Sequence, residues 1–115
     1  MKVIKIKSDS LEFDNGVKLY SYHEADCCEH HWISLDDLTI EDFEGLEFDL
    51  TNDNFFERIE DYGIALLPLN EHPIRIPGYG SNNGYYSDNL SLVLEAGGKI
   101  IKSFNISECQ IVQDC

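Results

Sequence analysis

The stretch YSYHEADCCEHHW, residues 20–32, holds the side chains best suited to chemistry. Three of the four histidines, two adjacent cysteines and the single tryptophan lie within it. Zinc prefers thiolate sulfur and imidazole nitrogen in a tetrahedral arrangement, and a short loop can supply all four ligands. The sequence therefore predicts a zinc site formed by His23, Cys27, Cys28 and His31.

The ligand set and the role of the metal rest on residue types, so alternatives stay open. Cys109 or Asp26 could replace His31 as the fourth ligand. The thiols could instead be small buried residues, since free cysteine is often part of a hydrophobic core. If a metal is bound, four protein ligands would close its coordination sphere, and we expect it to be structural.

A cysteine enzyme is the competing hypothesis for the same stretch. Cys27 or Cys28 with a histidine as base and Asp26 to orient it would have the required residue types. A thiolate, however, is stabilised by nearby positive charge, and this stretch carries three carboxylates and neither lysine nor arginine. Glycine-rich phosphate loops and the G-x-S-x-G motif are also missing from the sequence. We therefore predict that the protein is not an enzyme.

The negative charge is concentrated in one third of the chain. The net charge is -14, and fourteen of the 22 acidic residues lie between Glu24 and Asp61, where Arg58 is the only basic residue. Such a surface repels a phosphate backbone, so direct binding to nucleic acid is not expected. It would instead be steered toward a basic groove of a protein. The candidate contact residues are Asp36, Asp37, Glu41, Asp42 and Glu44. A face that only keeps the protein in solution is the alternative.

The segment YGSNNGYYS, residues 79–87, is a second candidate contact region. Tyrosine and asparagine provide rigid aromatic area and adaptable hydrogen bonds in binding loops. Tyr79, Asn82 and Tyr85 are the residues that we predict to reach a partner. The alternative is a long turn that leads into the next strand, since glycine and asparagine favour turns and tyrosine favours strands.

The sequence pattern predicts a single α+β domain, residues 1–115, whose strands and helix must position these residues. The pattern predicts a mostly antiparallel β-sheet of roughly six strands with two clear hairpins, at Asn15-Gly16 and Gly97-Gly98. One short helix should begin after Thr39 and end at Gly45. Residues 46–50 alternate apolar and acidic residues and predict a further strand, and Pro77 should lie at a strand end or a sheet edge.

No segment resembles a signal peptide or a membrane span, so we expect a cytoplasmic protein without a membrane partner. In that compartment the cysteines are expected to be thiols or metal ligands, because cytosolic disulfides are rare.

Two segments resemble the signatures of a family of small proteins common in bacteriophages and prophages. HEADCCE at 23–29 matches H-x-x-D-C-C-E, and SNNGYYS at 81–87 matches S-N-G-Y-Y-S with one extra asparagine. The resemblance implies a phage-type origin and carries no activity with it. Combined with the charge, it suggests an anti-defence protein in the host bacterial cytoplasm. We therefore predict an anti-CRISPR inhibitor that binds a basic groove of a host RNA-guided nuclease and carries the structural metal site. A non-catalytic metal- or small-ligand-binding module and a metal-dependent or cysteine enzyme are the alternatives.

Overall fold

The computed structural model describes residues 1–22, 30–69, 71–82 and 90–114. These residues form ten strands: β1 (Val3–Ile6), β2 (Ser10–Phe13), β3 (Val17–Tyr22), β4 (His30–Ile33), β5 (Phe56–Ile59), β6 (Gly63–Leu66), β7 (Ile74–Asn82), β8 (Ser91–Ala96), β9 (Lys99–Asn105) and β10 (Gln110–Asp114). Three 3-10 helices connect them: η1 (Ile40–Phe43), η2 (Asp53–Phe55) and η3 (Ser107–Cys109).

The strands form two mostly antiparallel sheets. The first has the order β1-β2-β3-β8-β9, and the second has the order β10-β7-β6-β5, with β4 also paired to β7. The β7–β10 pair is parallel, and the other pairs among the described strands are antiparallel. The predicted antiparallel sheet is confirmed. The expected count of about six strands was too low, because several strands have only four residues and lack a full alternating pattern.

The predicted short helix is present at the expected place but is not an α-helix. It is the 3-10 helix η1, and within the described ranges helical structure is limited to such short 3-10 turns. A 3-10 helix closes with i to i+3 hydrogen bonds and rarely exceeds one turn. The α component of the predicted α+β class is therefore not found in the part of the chain that is described.

Both predicted hairpins form, although one has a different turn. Gly97 and Gly98 both have positive φ, 60° and 82°, as a two-residue type I′ turn requires. In the first hairpin only Gly16 has positive φ, and its N–H donates to the carbonyl of Phe13. The loop between β2 and β3 is thus three residues long, and Asn15-Gly16 does not form a two-residue type I′ turn.

One other strand prediction was wrong, and a second was right only in part. Residues 46–50 alternate between buried Leu46, Phe48, Leu50 and more exposed acids, as expected, but they join neither sheet. Instead, the backbone of Phe48 exchanges hydrogen bonds with Met1, at 2.8 Å in both directions. Pro77 lies inside β7, where that strand changes partners: residues up to 77 pair with β6, and residues from 78 pair with β4 and β10. The predicted strand does not end at Pro77, but among the described strands residues 74–77 pair with β6 alone and so form a sheet edge.

One hydrophobic core draws side chains from both sheets. The inward residues alternate along the strands with outward ones, as the two-residue period of a strand dictates. Buried side chains include Leu11, Leu19, Leu92 and Leu94 from the first sheet and Ile33, Ile64, Leu66 and Ile76 from the second. Phe43 from η1 belongs to the same cluster, so the core fixes that helix against the first sheet.

Candidate protein-binding surface

The acidic residues around η1 are held by local hydrogen bonds. The backbone N–H of Thr39 donates to the carboxylate of Asp42 at 2.7 Å, and the N–H of Asp42 donates back to the carbonyl of Thr39 at 3.0 Å. The first bond belongs to a capping box between Thr39 and Asp42, which satisfies a backbone group that the first turn of a helix leaves without a partner. The second is the i to i+3 hydrogen bond of the 3-10 turn. Phe43 is 1 % exposed and faces the core, so Glu41, Asp42 and Glu44 face outward.

Five carboxylates near η1 form an exposed group that we call the acidic face. Its members are the predicted contact residues Asp36, Asp37, Glu41, Asp42 and Glu44, and all five are exposed. None of the five forms an ion pair with another described residue. By contrast, Glu47 binds the N-terminal amino group and Lys2, and Asp53 binds Lys102 at 2.7 Å. Within the described ranges, no direct ion pair therefore neutralises a carboxylate of the acidic face.

A groove of about 390 Å³ adjoins the acidic face, between β1 and η1. Val3 and Phe43 are buried beneath it, whereas Ile4 and Ile40 are 61 % and 41 % exposed. Three acids and one base complete its lining: Asp14, Glu41, Glu44 and Lys2. We call this feature the β1–η1 groove. It combines exposed aliphatic side chains with carboxylates, which is a suitable surface for another protein.

The sequence reasoning did not identify Ile4 and Ile40 as site residues. A signal for Ile4 was present, because Val3 and Ile4 are adjacent apolar residues in one strand and only one of them can face the core. Ile40 gave no such signal. It stands at the start of η1, and its exposure depends on how η1 packs on β1.

Most of the predicted zinc ligands lie outside the described residues. This holds for His23, Cys27, Cys28 and the alternative ligand Asp26. The backbone of His31 lies in β4, opposite Gly80 of β7. Cys109, the other alternative ligand, is fully buried in the hydrophobic core. In the described ranges no group of three or more histidine, cysteine, aspartate or glutamate side chains could hold a metal ion, so the zinc site stays a prediction.

The second predicted contact region is only partly described. Tyr79 lies within β7, and its half-buried ring contacts the ring of Trp32 on β4 at a centroid distance of 5.7 Å. Asn82 is the last residue of β7, opposite Asp114, and Tyr85 lies outside the described residues. The Trp32 contact gives Tyr79 a role in packing β4 against β7, because aromatic pairs stabilise cross-strand neighbours.

The strand ends that flank the two signature segments are neighbours in the fold. Tyr22, which precedes the segment at 23–29, pairs with Ser91, which follows the segment at 81–87. On the other side, His30 pairs with Ser81. The N–H of Ile33 also donates to the hydroxyl of Ser21 at 3.1 Å and links β4 to β3. The described residues that flank the two segments are therefore paired with one another.

Among the described residues, two titratable groups have perturbed pKa values, and both shifts have local structural causes. Burial raises the pKa of Tyr20, with further contributions from its hydrogen bond to Glu95 and the charge of Glu95. Hydrogen bonds from the hydroxyl and the N–H of Thr51 lower the pKa of Asp49. Neither residue belongs to the acidic face or to the β1–η1 groove. The two shifts do not indicate a catalytic pair.

The described residues define a β-protein with two sheets and an exposed acidic surface beside a partly apolar groove. Residues 1–92 match a family model described as "Domain of unknown function (DUF7448)", and the chain belongs to that family. The match includes both signature segments, η1 and strands β1 to β7. No match was found among curated proteins, and none among solved structures. No helix in the described ranges has the length and apolar character needed to cross a bilayer.

Proposed function

We propose that this protein is a non-catalytic binding protein whose acidic face contacts a basic surface of another protein. The observation that carries the proposal is the exposure of all five carboxylates and the absence of ion pairs to them within the described ranges. Carboxylates that are already paired contribute little to an external field, whereas clustered unpaired ones attract a basic partner. The same field disfavours direct contact with a nucleic-acid backbone.

A host defence protein with a basic groove is the partner class that we propose, with an RNA-guided nuclease as the first candidate. Such nucleases hold guide and target strands in positively charged channels, which an acidic protein can occupy or flank. The resemblance of the two signature segments to phage proteins supports this choice, and the cytoplasm of a bacterial host is the compartment that we propose. The protein would then act as an anti-CRISPR inhibitor by occlusion.

The zinc site remains part of this proposal as a structural element. The residue types of His23, Cys27, Cys28 and His31 support it, and a closed coordination sphere would leave the metal without a catalytic position. A metal- or ligand-binding module and an enzyme remain the alternative functions. No feature of the described residues favours either of them over protein binding.

The test is a cleavage assay with purified RNA-guided nucleases of several types. The protein is added either before or after the guide RNA, and DNA cleavage and complex formation are both measured at low salt. We expect one nuclease type to bind the protein and lose activity, more strongly when the protein is added first. If no nuclease binds at low salt and none is inhibited, this partner class is wrong.

A further inference from the structure

We propose that the β1–η1 groove receives an aliphatic side chain of the partner, while an adjacent arginine or lysine of the same segment contacts Glu41 and Glu44. This inference rests on the proposed function and deepens it, because it states which chemistry the partner presents. The recognised element would be a short segment that carries an apolar residue beside basic ones.

Two parts of the chain that are far apart in sequence supply the exposed apolar side chains of the groove. Ile4 on β1 and Ile40 on η1 line one groove and are 61 % and 41 % exposed. Single exposed apolar residues are common on protein surfaces. Here a strand and a helix bring two such residues to one depression above the buried Val3 and Phe43. A partner side chain that fills the depression would remove apolar surface from water on both sides, which is favourable.

The other side chains that line the groove are charged. Asp14, Glu41 and Glu44 are acidic, and all three are exposed. Lys2 is the basic residue of the lining, so the three carboxylates leave the groove with an excess of negative charge. The groove therefore favours a cation.

Arginine and lysine fit such a surface well. Their aliphatic stems can lie on isoleucine while their charged ends remain near water and carboxylates. Charge complementarity thus selects a basic and apolar segment of a protein over an acidic or neutral one. The apolar contact would add affinity that does not depend on salt, whereas the contact with Glu41 and Glu44 would weaken as salt rises.

Three short peptides of equal length test the proposal on the full chain. The first alternates leucine and arginine, the second has serine in place of leucine, and the third has glutamine in place of arginine. Binding is followed by NMR of isoleucine methyl groups, with the signals of Ile4 and Ile40 as reporters. We expect the leucine–arginine peptide to shift both signals saturably and to bind more tightly than the other two.

A matched pair of variants completes the test. Ile4→Gln with Ile40→Gln should raise the Kd of the leucine–arginine peptide about tenfold, since it removes the apolar contact. The control is Ile100→Gln with Ile101→Gln, which changes two isoleucines of β9 that are 62 % and 52 % exposed. The control should bind as the parent does. All four isoleucines are exposed, so both variants are expected to fold.

The peptide results separate a failure of this inference from a failure of the proposed function. If the serine–arginine peptide binds as tightly as the leucine–arginine peptide, the groove contributes nothing, and the proposed function stands without this inference. Equal binding of the leucine–glutamine peptide would mean that Glu41 and Glu44 do not recognise a cation, which overturns the combined recognition. If neither arginine peptide binds, the acidic face does not attract a basic partner, and the proposed function itself is wrong.

Discussion

Replacing Gly63 by alanine tests the pairing of β6 with β7. A Cβ atom at this position would overlap the carbonyl oxygen of Ile76 and lie 2.7 Å from the nitrogen of Gly78 and 2.8 Å from the Cα of Pro77. Real Cβ atoms essentially never approach other atoms closer than 3.0 Å. All three neighbouring atoms belong to the backbone, so no side-chain rotation can relieve the overlap. The two strands would have to separate.

The expected loss of stability follows from that separation. Inserting one carbon into a closely packed site costs about 1–3 kcal/mol. The 2.7 Å hydrogen bond from the N–H of Gly78 to the carbonyl of Tyr62 lies beside the overlap, and each lost backbone bond costs about 1 kcal/mol. We therefore expect Gly63→Ala to lower the free energy of unfolding by about 2–4 kcal/mol, a large part of the roughly 5–15 kcal/mol typical of a domain.

Urea denaturation followed by circular dichroism measures this loss, with Gly97→Ala as the control. Gly97 also has positive φ, 60°, but no atom lies within 4 Å of the added Cβ. The control should lose only about 1–2 kcal/mol, the cost of a left-handed conformation for alanine. If Gly63→Ala is no more destabilising than Gly97→Ala, the backbones of β6 and β7 do not lie as close together at Gly63 as the structure shows.

Three further predictions concern a helix cap, a carboxylate and the metal. Asp42→Ala removes the acceptor for the N–H of the η1 capping box and should cost about 1 kcal/mol in urea denaturation; an unchanged midpoint would contradict the capping role. Because hydrogen bonds from Thr51 lower the pKa of Asp49, the stability they provide is present above the unfolded pKa and is lost as pH falls through the folded one. Thr51→Val should therefore raise the pKa of Asp49 in an NMR titration of its carboxyl carbon, and identical titration curves would refute this cause. Untagged protein should contain near-stoichiometric zinc by elemental analysis, reduced in Cys27→Ser and Cys28→Ser variants; no transition metal above background would exclude the site.

Local sequence signals predicted the features that depend on neighbouring residues. The Gly97-Gly98 pair determines a turn because only glycine tolerates two positive φ angles at low cost. Thr39 indicated the start of η1 because threonine is a preferred N-cap residue, and the structure adds Asp42 as its capping partner. Alternation identified the buried residues of 46–50 correctly but not their partners, since Phe48 bonds to Met1 rather than to a strand.

Features that depend on tertiary contacts could not be predicted in this way. Pro77 is tolerated inside β7 because the strand changes partners at that residue, and no local pattern encodes such a change. The acidic residues were identified from the sequence, but the groove beside them was not. Ile4 and Ile40 are separated by more than thirty residues, and only the packing of η1 on β1 brings them to one surface.

The acidic face can be tested by comparing two triple charge reversals. Asp36→Lys, Glu41→Lys and Glu44→Lys change the acidic face and leave the capping residue Asp42 intact. The control reverses three other exposed acids, on β5 and in the β5–β6 and β6–β7 connections: Glu57→Lys, Glu60→Lys and Glu71→Lys. Each set moves the net charge from -14 to about -8, so the two variants differ in the position of the charge and not in its amount.

The most direct measurement is the association rate of the parent and both variants with an RNA-guided nuclease, at low and at physiological salt. The acidic-face variant should associate at least about tenfold more slowly than the parent at low salt, and this difference should shrink as salt screens the charges. The control variant should stay within about threefold of the parent, because the carboxylates that it reverses lie outside the acidic face and would not line the contact. Equal association rates for the two variants, or rates that do not depend on salt, would contradict binding through the acidic face.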